Sequence, residues 1–249
     1  MTGVLVVTGG SRGIGAAIAR LGGKRGYRVA VNYVQAKERA QEVVDDIRDA
    51  DSEAIAIQGD TGSEADMVRL FEQVDEAFGP VTALVNNAAI DHEIAIADFA
   101  VADLERVYAV NVTGPFVCAR EAIRRMSTRL GGKGGVIINI SSISARYGGL
   151  PGDVIYASSK GALDSFSLGL GKEVAKEGIR VVSVRPGLTL TDIWERSNVG
   201  REGAIELGKT GAPIGRIAEP EEVANLALWL CSDEASYVTA TCYDVSGGR

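Results

Sequence analysis

The stretch GVLVVTGGSRGIG, residues 3–15, decides the fold of the chain. Its first half is a short, continuous apolar run rich in β-branched residues, which is typical of a strand buried on both faces. Glycines follow at once, and Ile14, Ala17, Ile18 and Leu21 then repeat at helical spacing. The stretch therefore predicts a strand, a tight turn and a helix in immediate succession.

The same alternation of strand and helix continues along the chain. We expect further strands at the apolar runs over residues 28–33, 53–58, 82–86, 135–141, 179–184 and 241–245. Helices are expected over residues 36–50 and 63–78, within 101–130, from about 155 to 177, and at 219–231. Such alternation implies a parallel sheet covered on both faces through right-handed crossovers. The predicted fold class is therefore α/β, a doubly wound parallel sheet of about seven strands.

The pattern runs over residues 1–249 without a linker or a low-complexity stretch, so we expect a single domain. Residues 188–218 break the rhythm after a strand, where open α/β sheets bind ligands. We interpret this segment as an irregular insertion that acts as a substrate-binding lid. Its apolar side chains Leu190, Ile193 and Trp194 specify no particular ligand.

Composition restricts the possible partners. The formal charge is -7 and the pI is near 4.9, which argues against a nucleic-acid partner or an anionic membrane. No apolar run reaches the ~18 residues of a membrane span, and the first residues predict no signal peptide. The three cysteines have neither an even count nor metal-ligand spacing. We therefore expect no disulfides and a location in the reducing cytoplasm.

The chain contains one histidine, His92, in a stretch that reads as an exposed loop. A metal site built on histidines, or a Ser-His-Asp triad, would depend on this residue alone. We therefore expect no metal, and we expect proton transfer to use another type of side chain.

The glycines between the first strand and helix, Gly9, Gly13 and Gly15, have the spacing GxxxGxG. Glycines permit a tight turn and a close backbone approach, and the helix N-terminus offers free N–H groups to a pyrophosphate. Glycine-rich turns also end strands for steric reasons alone. The strand–turn–helix setting favours a dinucleotide site, and so a dinucleotide-binding and catalytic domain.

The end of the second strand bears on the choice of dinucleotide. An NAD site usually has an acid about 20 residues past the glycines, whereas residues 32–35 are NYVQ. Arg12 lies inside the glycine loop and Lys37 follows the strand. Arg12 as a plain surface residue is the alternative. The missing acid and the nearby cations favour the 2′-phosphate of NADP(H), with NAD(H) still possible.

The stretch YASSK places Tyr156 four residues before Lys160, one helical turn apart. Such pairs are common on exposed helices. A nearby cation, however, favours the phenolate and lowers the pKa of a tyrosine from its usual ~10. The pair is therefore either two exposed side chains without a catalytic role or a tyrosine that serves as a proton donor next to a lysine.

Six elements in order resemble the short-chain dehydrogenase/reductase family over essentially the whole chain. They are TGGSRGIG at 8–15, NNAA at 86–89, Asn111 in VNVTG, NISS at 139–142, YASSK at 156–160 and VRPGLTLTD at 184–192. The resemblance implies a Rossmann-type fold and Tyr156 as acid/base. It also implies that Lys160 binds the nicotinamide ribose, Ser142 hydrogen-bonds the substrate oxygen, and Asn111 holds a water in a proton relay. From the residues alone, Ser142 could simply begin a turn, and Asn111 could cap a helix or fill a polar gap.

The resemblance further implies a set of cofactor-binding residues. Its members are Gly9, Ser11, Arg12, Gly13, Ile14, Gly15, Asn32, Tyr33, Asp60, Thr61, Asn86, Ala88, Tyr156, Lys160, Pro186, Gly187, Thr189 and Thr191. Asp60 would contact the adenine, Asn86 and Ala88 the adenosine ribose, and the last four the nicotinamide.

Three departures from the family pattern stand out. Ala89 occupies a position where the family usually has glycine, which predicts crowding near the cofactor. Ser142 and Tyr156 are one residue further apart than is common, so a bulge or a longer loop must absorb the difference. Near the C-terminus, Thr239-Ala240 replaces the usual Thr-Gly.

The leading hypothesis is an NADP(H)-dependent oxidoreductase that interconverts a ketone or aldehyde with an alcohol. The alternative is a catalytically idle nucleotide-sensing or scaffold protein of the same fold. Sugars, acyl thioesters, steroids and small ketones all remain open as substrates. By resemblance, we expect a homotetramer.

Overall fold

The structure is a computed structural model that describes residues 3–192, 194 and 199–249. Within them, seven strands form one parallel sheet: β1 (Val4–Val7), β2 (Arg28–Tyr33), β3 (Ala54–Gln58), β4 (Ala83–Asn86), β5 (Gly135–Ile140), β6 (Ile179–Pro186) and β7 (Thr241–Val245). The order β3-β2-β1-β4-β5-β6-β7 reverses between β1 and β4. This is the doubly wound arrangement of a Rossmann-type fold, and the predicted fold class is confirmed.

Helices cover both faces of the sheet. They are α1 (Gly13–Lys24), α2 (Lys37–Asp49), α3 (Glu64–Phe78), α4 (Val101–Tyr108), α5 (Gly114–Met126), α6 (Ser144–Tyr147), α7 (Val154–Glu173), α8 (Gly200–Gly211) and α9 (Pro220–Leu230). The structure corrects two predictions. The region 101–130 is not one long helix, because a π-helical turn at Ala109–Thr113 separates α4 from α5. The segment 188–218 is not irregular throughout, because it contains α8.

The two sides of β1 show how the core is divided. All four residues of β1 are buried. Because successive side chains of a strand point to opposite faces, Val4 and Val6 join the cluster with α3 and α5. Leu5 and Val7 join the cluster with α1, α2 and α9. A strand that supplies both cores must be apolar throughout, which is why the run GVLVV was readable from sequence.

Helix α2 follows the opposite rule, since only one of its faces is buried. Its buried residues are Ala40, Val43, Val44 and Ile47, at the i, i+3, i+4 and i+7 positions of one stripe. The remaining positions of this helix are largely charged, KERAQEVVDDIRD. This periodicity fixes which side of α2 faces the sheet and which side faces solvent.

The segment after β6 is pinned where it leaves the sheet and where it returns. Thr189 and Ala218 form an isolated parallel bridge, in which Leu190 N donates to Ala218 O at 2.8 Å and Ala218 N to Leu188 O at 2.9 Å. The predicted lid residue Ile193 and residues 195–198 lie outside the described residues. In the part of the chain that is described, no helix is both long and apolar enough to cross a membrane.

Candidate active site

The glycine loop lies at the carboxyl end of β1, next to the point where the strand order reverses. Gly9 has a left-handed φ of +60°, and a Cβ added there would lie 2.9 Å from Ala88 Cα. A Cβ added at Gly15 would lie 2.4 Å from Gly9 O. Real side chains do not fit at such distances, so close packing of loop, helix and β4 requires glycine at both positions.

Two asparagines hold this loop in place. Asn87 Nδ2 donates to the carbonyl oxygens of Thr8 and Gly9, each at 3.0 Å. Asn32 Oδ1 accepts from Gly9 N at 3.2 Å, and Asn32 Nδ2 donates to Gly59 O at 2.8 Å. Sequence reasoning missed the role of Asn87, although its motif was quoted. The bracing contacts join segments far apart in sequence, so the fold was needed to reveal them.

The start of α1 has the features of an anion site. Its first turn, from Gly13 to Ala16, contains no acidic residue. Arg12 precedes it in an extended conformation and, among the described contacts, makes no side-chain cap. The free N–H groups and the positive end of the helix dipole therefore face the cleft. Together with the glycine cradle, this donor set fits the pyrophosphate of a dinucleotide, which residues from Gly9 to Gly15 would hold.

A cavity of about 490 Å³ lies beside this helix start. Three arginines and two carboxylates contribute charged side chains to it: Arg12, Arg20, Arg39, Glu42 and Asp192. Ser11, Gly13 and Ala16 complete its lining. Sequence reasoning named Arg12 and Lys37 as the nearby cations. The structure adds Arg39, whose position on α2 became evident only once that helix was placed against the glycine loop.

The side chains of several predicted cofactor residues are buried or hydrogen-bonded within the protein. Asn32 braces the glycine loop, and Tyr33 is buried in the core, so their contact with a cofactor would be through the backbone. Asn86 is buried, with Nδ2 donating to Asn139 Oδ1 at 2.8 Å.

Asp60 and Thr61 follow β3 and are also engaged. Asp60 Oδ1 accepts from Gly62 N at 2.8 Å, and Asp60 Oδ2 pairs with Arg106 Nη2 at 2.8 Å. Thr61 is buried, and its carbonyl oxygen lies 2.5 Å from where a Cβ on Gly114 would stand. These two residues shape the wall between β3 and α5.

The Tyr156–Lys160 pair lies on the first turns of α7, with Tyr156 partly exposed and Lys160 buried. Burial raises the pKa of Tyr156 above the usual value for a phenol, and the charge of Asp91 adds to that rise. Hydrogen bonding with Ser142 favours the phenolate and opposes it. The expectation of a lowered pKa for Tyr156 is therefore wrong for this structure, because the desolvation of the phenol outweighs its charge-stabilising contacts.

Lys160 is 2 % exposed, so it is not surface decoration. Its Nζ donates to Ile140 O at 2.8 Å and lies 5.5 Å from the centroid of the Tyr156 ring. Burial lowers the pKa of Lys160 to about 8, with Asp164 and Asp91 opposing the shift. The ammonium group is therefore still mostly protonated at neutral pH, and it is held at the end of β5 next to the tyrosine.

Ser142 follows β5 and faces the same edge of the sheet. Its Oγ accepts from Ser144 N at 3.1 Å, which begins the short helix α6. The hydroxyl thus starts a turn, as the simpler alternative held, and it lies close enough to Tyr156 to favour the phenolate. The role of Ser142 toward a substrate oxygen stays a prediction.

Asn111 lies in the π-helical turn between α4 and α5 and is fully buried. Its Oδ1 accepts from Ile90 N at 2.9 Å, while its Nδ2 donates to Ile90 O at 2.8 Å and to Ser159 Oγ at 3.1 Å. The side chain therefore fills a polar gap and ties the loop after β4 to α7. Turns of this kind occur often at functional sites.

The residues after β6 border the glycine loop from the other side. Pro186 O accepts from Ile143 N at 2.9 Å, and Gly187 N donates to Val245 O at 2.8 Å. Thr189 is buried, with Oγ1 donating to Gly187 O at 3.2 Å. A Cβ added at Gly13 would lie 3.2 Å from Thr191 Cγ2. The predicted nicotinamide set thus lies between the glycine loop and β7.

Asp91 was not singled out from sequence. Desolvation of its carboxylate, together with the charge of Asp153, raises its pKa to about 6, although the residue as a whole is exposed. The charge of the Asp91 carboxylate raises the pKa of both Tyr156 and Lys160, so Asp91 belongs to the electrostatic surroundings of the pair.

His92 Nε2 lies 3.5 Å from Asp103 Oδ2 and is partly exposed. Among the described residues, no group of three or more His, Cys, Asp or Glu side chains could hold a metal ion.

The three departures from the family pattern have local explanations. Ala89 is exposed, so protein atoms do not crowd its methyl group. The extra residue between Ser142 and Tyr156 falls in α6 and a loop in which Gly148, Gly149 and Gly152 have positive φ. Ala240 adopts a left-handed φ of +52°, the conformation that a glycine would take without strain.

Comparisons with known proteins agree with this geometry. A family model described as enoyl-(acyl carrier protein) reductase matches residues 9–249. The uncharacterized oxidoreductase YgfF of Escherichia coli is 44% identical over 248 residues, covering 99% of each chain. A versicolorin reductase of Emericella nidulans is 37% identical over 257 residues, covering 98% of this chain and 94% of the relative.

A solved structure shares the fold closely. A short-chain dehydrogenase from Burkholderia cenocepacia in complex with NADP superposes with a TM-score of 0.89 at 32% identity, covering 98% of this chain and 96% of that one. The match extends over nearly the whole of both chains, so it includes the glycine loop, the tyrosine helix and the segment after β6. The chain belongs to the short-chain dehydrogenase/reductase family of oxidoreductases.

Proposed function

We propose that this protein is an NADP(H)-dependent oxidoreductase that interconverts a ketone or aldehyde with an alcohol. The observation that carries the proposal is the partly exposed Tyr156, whose phenolate form Ser142 favours, next to the buried ammonium group of Lys160. This group opens at the same sheet edge as the glycine loop. A phenol poised at a cleft beside a dinucleotide cradle is what reversible carbonyl reduction requires.

When bound, NADP(H) supplies or takes up the hydride. Reduction builds negative charge on the carbonyl oxygen, so a proton donor has to stand beside it. The raised pKa of Tyr156 keeps the phenol protonated, and Tyr156 gives its O–H proton to that oxygen. Ser142 orients the oxygen by hydrogen bonding, and the nearby charge of Lys160 favours the phenolate that remains. In the oxidation direction the same phenolate takes the proton back.

Asn111 has a positioning role in this proposal. Its three side-chain hydrogen bonds fix the backbone of Ile90 and the hydroxyl of Ser159, and Ser159 Oγ donates in turn to Tyr156 O at 2.6 Å. The chain Asn111–Ser159–Tyr156 thereby sets where α7 presents the phenol. The expected proton relay through a water at Asn111 remains part of the proposal.

The preference for NADP(H) over NAD(H) rests on charge. Arg12 and Arg39 line the cavity beside the glycine loop, and residues 32–36, NYVQA, include no acid that would accept from a ribose 2′-OH. The Burkholderia relative solved with NADP supports the same choice. We propose residues 1–249 as one dinucleotide-binding and catalytic domain, with residues 188–218 covering the substrate.

We further propose a homotetramer in the cytoplasm, in line with the family resemblance. Support for association comes from an apolar surface shared by α5 and α7. Phe116 is 49% exposed and stacks on Phe166, with ring centroids 3.8 Å apart. Contiguous exposed apolar patches mark protein–protein interaction sites.

The test is turnover of NADPH, followed by its absorbance, with a panel of sugars, acyl thioesters, steroids and small ketones. Tyr156→Phe removes only the O–H group and is expected to lower kcat roughly a hundred-fold or more. Tyr237→Phe, at a fully exposed tyrosine, is the matched control and should leave kcat unchanged. Absence of turnover with every carbonyl, without any effect of Tyr156→Phe, would favour the idle nucleotide-sensing protein instead.

A further inference from the structure

One arginine of the arginine-lined cavity is already paired with a carboxylate of the protein itself. Arg39, on α2, pairs through Nη1 with Oδ2 of Asp192, on the segment after β6. The two residues are 153 positions apart in sequence, and their side chains are 52% and 29% exposed. An ion pair at the mouth of a cavity, between elements that both border the glycine loop, is placed where a ligand would have to compete with it.

Another arginine of the cavity pairs with a residue of a helix instead. Arg20 pairs with Asp46 at 2.6 Å, between α1 and α2 and away from the segment after β6. Arg12 precedes α1, so its side chain starts from the helix end that would hold the pyrophosphate. The Asp192 carboxylate therefore stands where a second anion, close to Arg12 and Arg39, would be expected to bind.

The energetics allow exchange of one anion for another. An exposed ion pair contributes little to stability, because water screens it. A phosphate monoester carries about −1.5 to −2 charges near neutral pH and has three acceptor oxygens for a guanidinium fork. A phosphate at this position would therefore displace Asp192 from Arg39 at low cost.

We propose that Asp192 is a specificity-determining residue that competes, within the molecule, with the 2′-phosphate of NADP(H) for Arg39. This inference rests on the proposed preference for NADP(H). Asp192 weakens binding of the phosphorylated dinucleotide and leaves binding of the unphosphorylated one almost unchanged. The Arg39–Asp192 pair thus sets how strongly the protein discriminates between the two cofactors. Asp192 is released from Arg39 whenever NADP(H) binds.

The test uses calorimetric titration of the full chain with adenosine 2′,5′-bisphosphate and, for comparison, with adenosine 5′-monophosphate. Asp192→Asn is expected to tighten the bisphosphate about three- to five-fold and to leave the monophosphate unchanged. Arg39→Gln is expected to weaken the bisphosphate about ten-fold or more. Glu206→Gln, which breaks the exposed pair with Lys209 on α8, is the matched control and should change neither.

The double variant Arg39→Gln/Asp192→Asn separates competition from a general charge effect. If Asp192 acts through Arg39, its substitution changes nothing once Arg39 is gone. An equal tightening in both backgrounds, or no tightening in the wild-type background, overturns the inference while the preference for NADP(H) stands. A wild-type protein that binds the two nucleotides equally overturns both the inference and the proposed preference.

Discussion

The Tyr156–Lys160 site and the arginine-lined cavity use charge in opposite ways. Lys160 is buried, its ammonium group contacts a backbone carbonyl, and its pKa is lowered to about 8. Arg39 is half exposed and pairs with a carboxylate from a distant segment. The first charge is held where removal of water makes each contact strong, whereas the second lies where water weakens every pair.

The difference has a functional consequence. A proton donor needs a fixed position and a tuned pKa, so it is built on α7 and the end of β5 and is surrounded by protein. Cofactor selection needs an anion that can be exchanged, so exposed side chains suffice. We therefore expect substitutions in the first region to have large effects on activity, and substitutions in the second to change cofactor affinity.

The largest effect should come from Lys160→Met, which removes the buried charge. We expect kcat to fall about a hundred-fold or more, because the phenolate loses its neighbouring cation. The lowered pKa of Lys160 represents a cost of about 3 kcal/mol at neutral pH, which a methionine avoids while leaving Ile140 O unpaired. Thermal unfolding should therefore show a variant that is inactive and at least as stable as the wild type.

The pH dependence of this stability difference gives the control. Between about 8, the folded pKa of Lys160, and 10.5, its ordinary value, the unfolded chain binds more protons. Stability of the wild type relative to the variant should therefore rise with pH across that window. Lys172→Met, at an exposed position of the same helix, should show neither effect. A variant that unfolds more easily than the wild type at neutral pH would contradict the cost assigned to Lys160.

Asn32→Ala tests whether the cofactor side also depends on buried contacts. Asn32 is 1 % exposed and bridges Gly9 N, Ile57 O and Gly59 O. Loss of these bonds should lower the free energy of unfolding by about 2–3 kcal/mol and weaken dinucleotide binding. Denaturant unfolding and NADPH titration are the measurements.

The matched control for Asn32 is Gln58→Ala on the neighbouring strand. Its amide also bonds to a backbone carbonyl, Val34 O at 2.9 Å, but the side chain is exposed. The expected change is within about 0.5 kcal/mol. Similar losses in the two variants would mean that burial of the Asn32 bonds is unimportant.

The elements that could be predicted from the sequence are those whose pattern of residues is local. The strands were predicted to within two residues, because a parallel strand buried on both faces is an apolar run. Helix α8 was missed because GREGAIELGKTG has four glycines and little apolar periodicity. The π-helical turn at Asn111 interrupts a pattern that reads as continuous helix.

The site shows the same division between local and tertiary signals. The residue types of the Tyr156–Lys160 pair were readable, because the spacing of four places them on one helical face. The direction of the pKa shift of Tyr156 was not, because it depends on burial and on Asp91, from another segment. Arg39 and Asp192 are 153 positions apart, so only the fold brings them together.

Asp91→Asn removes a charge at the border of the buried site. The charge of Asp91 raises the pKa of Tyr156, so its loss should move the ascending limb of the kcat/KM profile for alcohol oxidation, in which Tyr156 has to be deprotonated, to lower pH. An inflection near pH 6, which reports the raised pKa of Asp91, should disappear. Asp98→Asn, at an exposed position of the same loop, should leave the profile unchanged. An unaltered profile in Asp91→Asn would show that Asp91 does not reach the tyrosine.

The smallest effect is expected at Ala240, far from both charges but packed against the helix that carries Tyr156. Its φ of +52° costs an alanine about 1–2 kcal/mol, and its Cα lies 2.8 Å from where a Cβ on Gly171 would stand. Ala240→Gly removes that strain but adds about 0.4–1 kcal/mol of unfolded-state entropy, so the net gain should be about 0.5 kcal/mol. A rise of about 1–2 °C in the unfolding midpoint, with kcat unchanged, is the expected result.

The matched control is Ala50→Gly, at an exposed residue with φ of -96°. This substitution should instead lower the midpoint, because glycine relieves no strain there. If both variants lost stability equally, the left-handed conformation of Ala240 would carry no strain, and the tyrosine helix would rest on an unstrained support.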